Sequence, residues 1–138
     1  MTSVILILIS LVPSAGPQTA LEAEAMRFAQ AWVEGDSRTL ESMLAPTGIR
    51  LHILDDLYPS VPPPRALVAL RAFLERYAGG EAELMRASQA AGEETRGFAE
   101  LQWRTLVAGT GEAVIFTLFV AYAMEEGSWT VTEVRVLT

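Results

Sequence analysis

Three residues in the first half of the chain offer side chains capable of acid–base chemistry. His52 is the only histidine, and Asp55 and Asp56 follow it closely. An imidazole titrates near neutral pH and serves as a general base, while adjacent carboxylates bind cations or accept protons. His52, Asp55 and Asp56 are therefore the candidate catalytic residues. The interpretation we favour is plainer: a half-exposed strand residue followed by a solvated turn in which the aspartates bond to the local backbone.

A second polar cluster alternates with apolar residues. Glu100, Gln102 and Arg104 are interleaved with Leu101 and Trp103. If the polar set faced a pocket, Arg104 would bind an anionic ligand and Gln102 would fix its orientation. The pattern favours the alternative, in which the polar set meets solvent and Leu101 and Trp103 enter the core.

Aromatic residues form a third group. We expect these side chains to line the core or a pocket: Phe28, Trp32, Phe116, Tyr122 and Trp129. Trp32 and Tyr122 are the pocket candidates among them. Together with Arg104 and Gln102 they complete the set of candidate ligand-binding residues.

The composition excludes several chemistries. The chain contains no cysteine, which removes disulfides, thiolate zinc sites and a thiol nucleophile. One histidine cannot make a His-rich metal site, and His52 with a nearby aspartate is too sparse a set for one. No phosphate-binding loop, dinucleotide fingerprint or zinc-protease motif occurs. We therefore expect no metal and no cofactor.

The charge of the chain limits its partners. The formal net charge is −7 and the ten basic residues, all arginine, are scattered singly. A field of this sign repels phosphate backbones and anionic membrane surfaces, so we expect no nucleic-acid partner.

Residues 1–17 form a hydrophobic N-terminal segment. The run Val4–Val12 is continuously apolar, and small and turn residues follow it from Pro13 to Pro17. It is too short to span a bilayer, which takes about 20 residues, and it suits the apolar region of a secretory signal peptide. A basic start and a clean cleavage site are both missing, so a buried strand and a retained anchor stay open. We predict an exported protein, periplasmic or secreted, with no stable membrane insertion after cleavage.

The remaining pattern predicts an α+β domain, with N-terminal helices packed on a curved, mostly antiparallel sheet. Two helices are expected before a short strand at 49–54, and a third carries apolar residues through Tyr77. Residues 55–59 read as a turn. Four strands follow at 81–89, 97–107, 112–124 and 128–137, with a bulge near Thr132–Glu133 in the last.

The strand at 112–124 is apolar on both faces. Such a strand is covered on each side, by helices on one face and by another surface on the other. An uncovered apolar face would be an aggregation hazard. A second covering surface is therefore expected on the face away from the helices.

Two local motifs resemble the nuclear transport factor 2-like superfamily. Phe28-Ala29-x-Ala31-Trp32 followed by Gly35-Asp36 is similar to its first helix, and the closing run from Trp129 to Val136 is similar to its last strand. The resemblance covers the domain at 18–138. Within the superfamily, exported bacterial domains of unknown function are the most similar, since a helix follows the Tyr58-Pro-Ser60 turn.

The resemblance implies a cone-shaped (cystatin-like) sheet that forms a pocket with its helices, and often a dimer through the sheet's other face. The superfamily includes ketosteroid isomerases, polyketide cyclases, dehydratases and many non-catalytic members, so fold does not give function. Its isomerases carry a tyrosine in the first helix, and this chain has none there.

Our leading hypothesis is an exported, non-catalytic domain that binds a small apolar or amphipathic ligand or a protein partner. We expect it to form the homodimer that the resemblance implies, which would cover the outer face of the strand at 112–124. One alternative is a small isomerase, cyclase or dehydratase that uses His52 and a nearby aspartate. The other is a structural dimerisation module.

Overall fold

A computed structural model describes residues 16–138 apart from 91, 93 and 94. The predicted export signal at Val4–Val12 lies outside these described residues. Across the described part, the chain forms helices α1 (Pro17–Glu34), α2 (Ser37–Met43) and α3 (Pro63–Leu74). The strands are β1 (Ile49–Ile53), β2 (Asp56–Val61), β3 (Glu81–Gln89), β4 (Arg96–Leu106), β5 (Ala113–Glu125) and β6 (Ser128–Leu137).

The six strands form one open sheet in the order β2-β1-β6-β5-β4-β3. Only the β1–β6 pair is parallel; the other pairs are antiparallel. The helices lie on one face, where α1 packs on β3, β4 and β6, and α3 on β1. The predicted α+β architecture, with helices on a mostly antiparallel sheet, is therefore confirmed.

The ends of α1 and α2 follow from their local chemistry. Gly35 adopts a left-handed conformation (φ 66°) and ends α1, as its sequence position predicts. Asp36 then caps α2, since its carboxylate accepts hydrogen bonds from the Thr39 amide (3.2 Å) and the Thr39 hydroxyl (2.7 Å). These bonds stabilise the ionised form, so they hold the pKa of Asp36 below its ordinary value.

One glycine sets how closely α1 approaches the sheet. A Cβ atom on Gly97 of β4 would lie 2.8 Å from Leu21 Cδ2 of α1 and 3.2 Å from the Ser88 carbonyl oxygen of β3. A side chain at this position would force the Leu21 side chain to shift, so glycine permits the observed close approach of the helix to β4.

Two expected boundaries and one expected turn differ in the structure. The Thr19-Ala-Leu-Glu22 sequence has the form of a capping box and predicts a helix start at Thr19, but helix α1 begins at Pro17, because proline suits a first helical turn. Helix α3 ends at Leu74 instead of Tyr77, since Tyr77 leaves the helix to make a β-bridge with Val107. Residues 56–61, predicted largely as a turn, form strand β2. Pro59 is tolerated there because β2 is an edge strand.

The predicted bulge in the last strand is confirmed. Ala121 pairs with Glu133, whereas Tyr122 pairs with Val131, so Thr132 is the extra residue. This slip lets both halves of β6 bury apolar side chains, Trp129 and Val131 before the bulge and Val134 and Val136 after it.

Candidate functional site

The interior of the cone is filled by aromatic rings. Trp103 lies 5.3 Å from Phe116, 5.6 Å from Trp32 and 6.1 Å from Phe73, measured between ring centroids. Trp32 and Trp103 are each 1% exposed. Offset and edge-to-face contacts at these distances are favourable. The space between helices and sheet is thus a packed core at this position.

A cavity of about 150 Å³ lies beside these rings, where α1 ends and β3 approaches. Trp32, Tyr77 and Trp103 line it together with Gly79, whose carbonyl oxygen accepts a hydrogen bond from Trp103 Nε1 at 2.7 Å. The Trp32 indole N–H is buried and has no hydrogen-bond partner among the described residues. At about 30 Å³ per water molecule, the cavity has room for about five water molecules or for a group about the size of a benzene ring.

A larger concavity lies outside the cone, between α1 and the edge strand β3. This groove has a volume of about 860 Å³, within the range of roughly 300–1,000 Å³ typical of ligand sites. Its apolar lining comes from two elements, α1 and β3. The side chains are those of Met26, Ala29, Val33, Ala82 and Leu84.

The rim of the groove is acidic. Glu34 of α1 and Glu81 and Glu83 of β3 line it, and Arg104 of β4 is the basic side chain among its described lining residues. Arg104 lies opposite Glu81 in the strand register, and its Nη2 donates a 3.0 Å hydrogen bond to Gln102 Oε1. The excess of carboxylates favours a cationic occupant over an anionic one.

The groove extends around the free edge of β3. Ala82 and Leu84 point towards the helix side of the sheet, whereas Glu81 and Glu83 pair with Arg104 and Gln102 on the other face. Residues on opposite faces of β3 can line the same concavity only if the concavity passes around the free edge of the strand. Gly80 lets the chain lie close against β4 just before β3 begins, since a Cβ atom at this residue would lie 2.0 Å from the Arg104 carbonyl oxygen.

The structure places the three acid–base candidates at the opposite edge of the sheet. His52 lies on β1 between buried Leu51 and Ile53, so it is on the face away from the helices and pairs with Arg135 and Leu57. Asp55 and Asp56 are exposed in the β1–β2 hairpin. None of the three lines the groove or the small cavity.

The four ligand-binding candidates separate into two groups. Gln102 and Arg104 line the groove, on the sheet face away from the helices. The alternating residues Leu101 and Trp103 are buried, as the pattern predicts. Trp32 lies in the aromatic core and lines the small cavity.

Tyr122 lies inside the core and lines neither space. Its hydroxyl is buried without a hydrogen-bond partner in the described part of the chain. Burial raises the pKa of Tyr122 far above its ordinary value, and the negative charge of Glu24 adds to the shift.

Most of the groove's residues carry no signal in the sequence alone. Met26, Glu81 and Glu83 are exposed side chains at ordinary positions of a helix and a strand. Their relation becomes visible only when α1 is placed beside the edge of β3. The exposed methionine on the polar side of the first helix is the one feature that could have drawn attention to this surface.

Among the described residues, no group of three or more potential ligands is arranged to hold a metal ion. None of the helices described between residues 16 and 138 is both long enough and apolar enough to cross a membrane.

The sheet face away from the helices carries a second notable surface. Ile115 is 53% exposed and Leu106 is 45% exposed, and half-buried Phe119 and Phe98 lie further along β5 and β4, beyond Thr117 and Gln102. The Arg86 guanidinium covers the Phe98 ring at 5.3 Å and pairs with Glu100 at 3.0 Å, and Arg50 pairs with Glu133 at 3.8 Å. We call this surface the outer sheet face.

Comparisons with known proteins identify the fold. No protein-family model matches the chain, and no curated protein matches its sequence. A ketosteroid isomerase-like protein from Erwinia carotovora atroseptica is similar in structure, with a TM-score of 0.71 at 14% identity over 89% of this chain and 96% of the other.

A DUF4783-family protein from Bacteroides ovatus gives a TM-score of 0.65 at 13% identity over 79% of this chain and 89% of that one. A putative polyketide cyclase from Xanthomonas campestris gives a TM-score of 0.62 at 15% identity over 88% of this chain and 91% of the other.

The chain therefore has the nuclear transport factor 2-like fold, as its sequence motifs predicted. The similar structures include a family of unknown function as well as isomerase-like and cyclase-like proteins. At these identities the likeness establishes the architecture, and a role must be argued from the surfaces of this chain.

Proposed function

We propose that this chain is an exported, non-catalytic binding domain whose occupant lies in the groove between α1 and β3. The observation that carries the proposal is the groove itself: a concavity of about 860 Å³ with an apolar floor and a charged rim. That combination suits an amphipathic molecule, since the floor binds its apolar part and the carboxylates bind its polar part.

The alternative enzymatic role has less support. His52, Asp55 and Asp56 lie away from both cavities, and the cone interior beside Trp103 is occupied by rings. General acid–base catalysis requires the base within hydrogen-bond reach of a bound substrate. The export part of the proposal rests on the apolar Val4–Val12 run alone.

The groove proposal is tested with a simple amphipathic cation. Dodecyltrimethylammonium, kept below its critical micelle concentration, should bind saturably in isothermal titration calorimetry. Met26 is 61% exposed on α1, so Met26→Lys is compatible with the fold and places a charge in the apolar floor. The variant should weaken binding about tenfold or more. A wild-type protein that shows no saturable binding would contradict the groove as a site for small amphipathic cations.

The matched control is Val68→Lys. Val68 is also an exposed apolar residue of a helix (67%), and it lies on α3, outside the groove. This variant should bind the amphiphile as the wild type does. If both variants weaken binding equally, added positive charge and not groove occupancy is responsible.

A second proposal concerns the outer sheet face. We propose that two copies pair through the patch that contains Ile115 and Phe119, because apolar residues there are only half covered within one chain. Phe119→Arg should convert the dimer to a monomer in light scattering while leaving the circular dichroism spectrum unchanged. A wild-type protein that is monomeric at high micromolar concentration would overturn this pairing.

A further inference from the structure

The free edge of β3 has two halves that differ in how they are protected. In the second half, Gln18 Nε2 of α1 donates a 2.7 Å hydrogen bond to the Ala87 carbonyl oxygen. A bulge at Met85 separates the halves, since Leu84 pairs with Leu101 and Arg86 with Glu100. Bulges and covering side chains are the usual devices that prevent a strand edge from pairing.

The first half, Glu81–Leu84, has neither device. Among the described residues, no hydrogen bond from another element reaches the outward backbone groups of this stretch. It is also the stretch that the groove crosses. The backbone groups of an exposed edge are a template for a further strand.

The other edge of the sheet provides a contrast. Strand β2 contains Pro59, which lacks a backbone donor and interrupts any continuous ladder. Glu81–Leu84 contains no proline. The unprotected edge and the groove therefore coincide at one place on the described surface.

The dimensions of the two walls match. Glu81–Leu84 spans about 10 Å at the strand rise of roughly 3.3 Å per residue. The facing part of α1, from Met26 to Glu34, spans about 12 Å at 1.5 Å per residue. Both walls are therefore long enough for an extended segment of about four residues that runs along β3.

The rim charges select the kind of segment. A second copy of this chain pairing edge to edge would bring Glu81 and Glu83 against further carboxylates, which is unfavourable. A segment with basic side chains on one face would meet them with opposite charge. Its alternate apolar side chains would contact Met26, Val33 and Leu84.

We infer that the groove's occupant is an extended peptide segment of a partner protein, with alternating basic and apolar residues, that adds as a seventh strand to β3. This inference rests on the proposed function, because it names the partner of the same groove. Main-chain hydrogen bonds to Glu81–Leu84 supply affinity, and the alternation of side chains supplies specificity.

The test uses a capped heptapeptide of alternating valine and lysine, labelled with a fluorophore. Fluorescence anisotropy should show saturable binding to the full chain. A second peptide carries N-methyl groups on the alternate backbone nitrogens that would face β3. It should bind at least about tenfold more weakly, because those nitrogens can no longer donate hydrogen bonds to the strand. Backbone amides within Glu81–Leu84 should gain hydrogen-exchange protection with the peptide and not with dodecyltrimethylammonium.

Charge swapping supplies the second arm. The double variant Glu81→Lys/Glu83→Lys changes exposed side chains only and should bind the valine–lysine peptide about tenfold more weakly. It should instead bind a valine–glutamate peptide that the wild type does not. Glu126→Lys, at the β5–β6 hairpin away from the groove, is the matched control and should behave as the wild type.

The outcomes distinguish the two proposals. If the amphiphile binds and the peptide does not, or if both methylated and unmethylated peptides bind equally, strand addition is overturned while the groove remains a binding site. If neither probe binds, the proposed function fails along with the inference.

Discussion

The two sides of α1 face regions with opposite character. Its inner side places Phe28 and Trp32 in a core where ring centroids lie 5.7 Å apart. Its outer side places Met26 and Val33 along an open groove. One region excludes solvent and holds the fold, whereas the other leaves apolar surface available. This difference is why the proposed binding site lies at the edge of the sheet and not in the interior of the domain.

The largest expected effect comes from opening the interior. Trp103→Ala should lower the free energy of unfolding by about 3–5 kcal/mol, because it removes a buried indole and leaves a cavity between Trp32, Phe73 and Phe116. Urea denaturation followed by circular dichroism measures this loss. Met26→Ala, on the outer side of α1, should change stability by no more than about 0.5 kcal/mol. Equal losses of unfolding free energy in the two variants would contradict the difference between a packed inner side and an open outer side of α1.

A smaller effect is expected where the core contains a polar atom without a partner. Tyr122→Phe removes a buried hydroxyl that makes no hydrogen bond within the described structure. It should leave stability unchanged or raise it by up to about 1 kcal/mol, because no bond is lost and a desolvated oxygen is removed. A loss above about 1 kcal/mol in urea denaturation would show that the hydroxyl has a partner in solution.

The same substitution carries a pH signature. The pKa of Tyr122 is raised in the folded protein by burial, so the unfolded chain releases this proton first. Its contribution to stability is complete below the unfolded pKa of about 10 and is lost as pH rises above it. The alkaline decline in stability should therefore be less steep in Tyr122→Phe than in the wild type.

The smallest effect is expected at the cap between α1 and α2. Hydrogen bonds from Thr39 lower the pKa of Asp36, so the cap contributes stability above the unfolded pKa of about 3.9 and loses it as pH falls. Asp36→Asn keeps a capping side chain without this titration. The difference in melting temperature between pH 7 and pH 3 should be slightly smaller in the variant. Thr39→Val, which removes one of the two bonds, should show part of the same change.

The order of elements was predictable because their patterns are local. Gly35, Asp36 and the Glu126–Gly127 turn specify ends and connections within a few residues, and the slip of apolar phase in β6 located its bulge. Strand β2 was not predictable in this way. Only Val61 of its residues is buried, so it lacks the alternation that marks a half-buried strand.

The candidate site was predictable only in part. The alternation around Gln102 and Arg104 correctly identified a polar strand face, and both residues reach the groove. The groove's other wall depends on α1 lying beside an edge strand that is distant in sequence. No local pattern in the exposed residues Met26, Glu81 or Glu83 encodes that contact.

The close contact at Gly97 has a consequence for the groove as well as for the core. Leu21 of α1 rests on this glycine, so a side chain there would force the Leu21 side chain to shift or the helix to move outward. Leu21 is fully buried, so either movement disturbs the core. The same helix forms one wall of the groove, from Met26 to Glu34. The absence of a side chain at position 97 therefore lets one helix serve both the core and the groove wall.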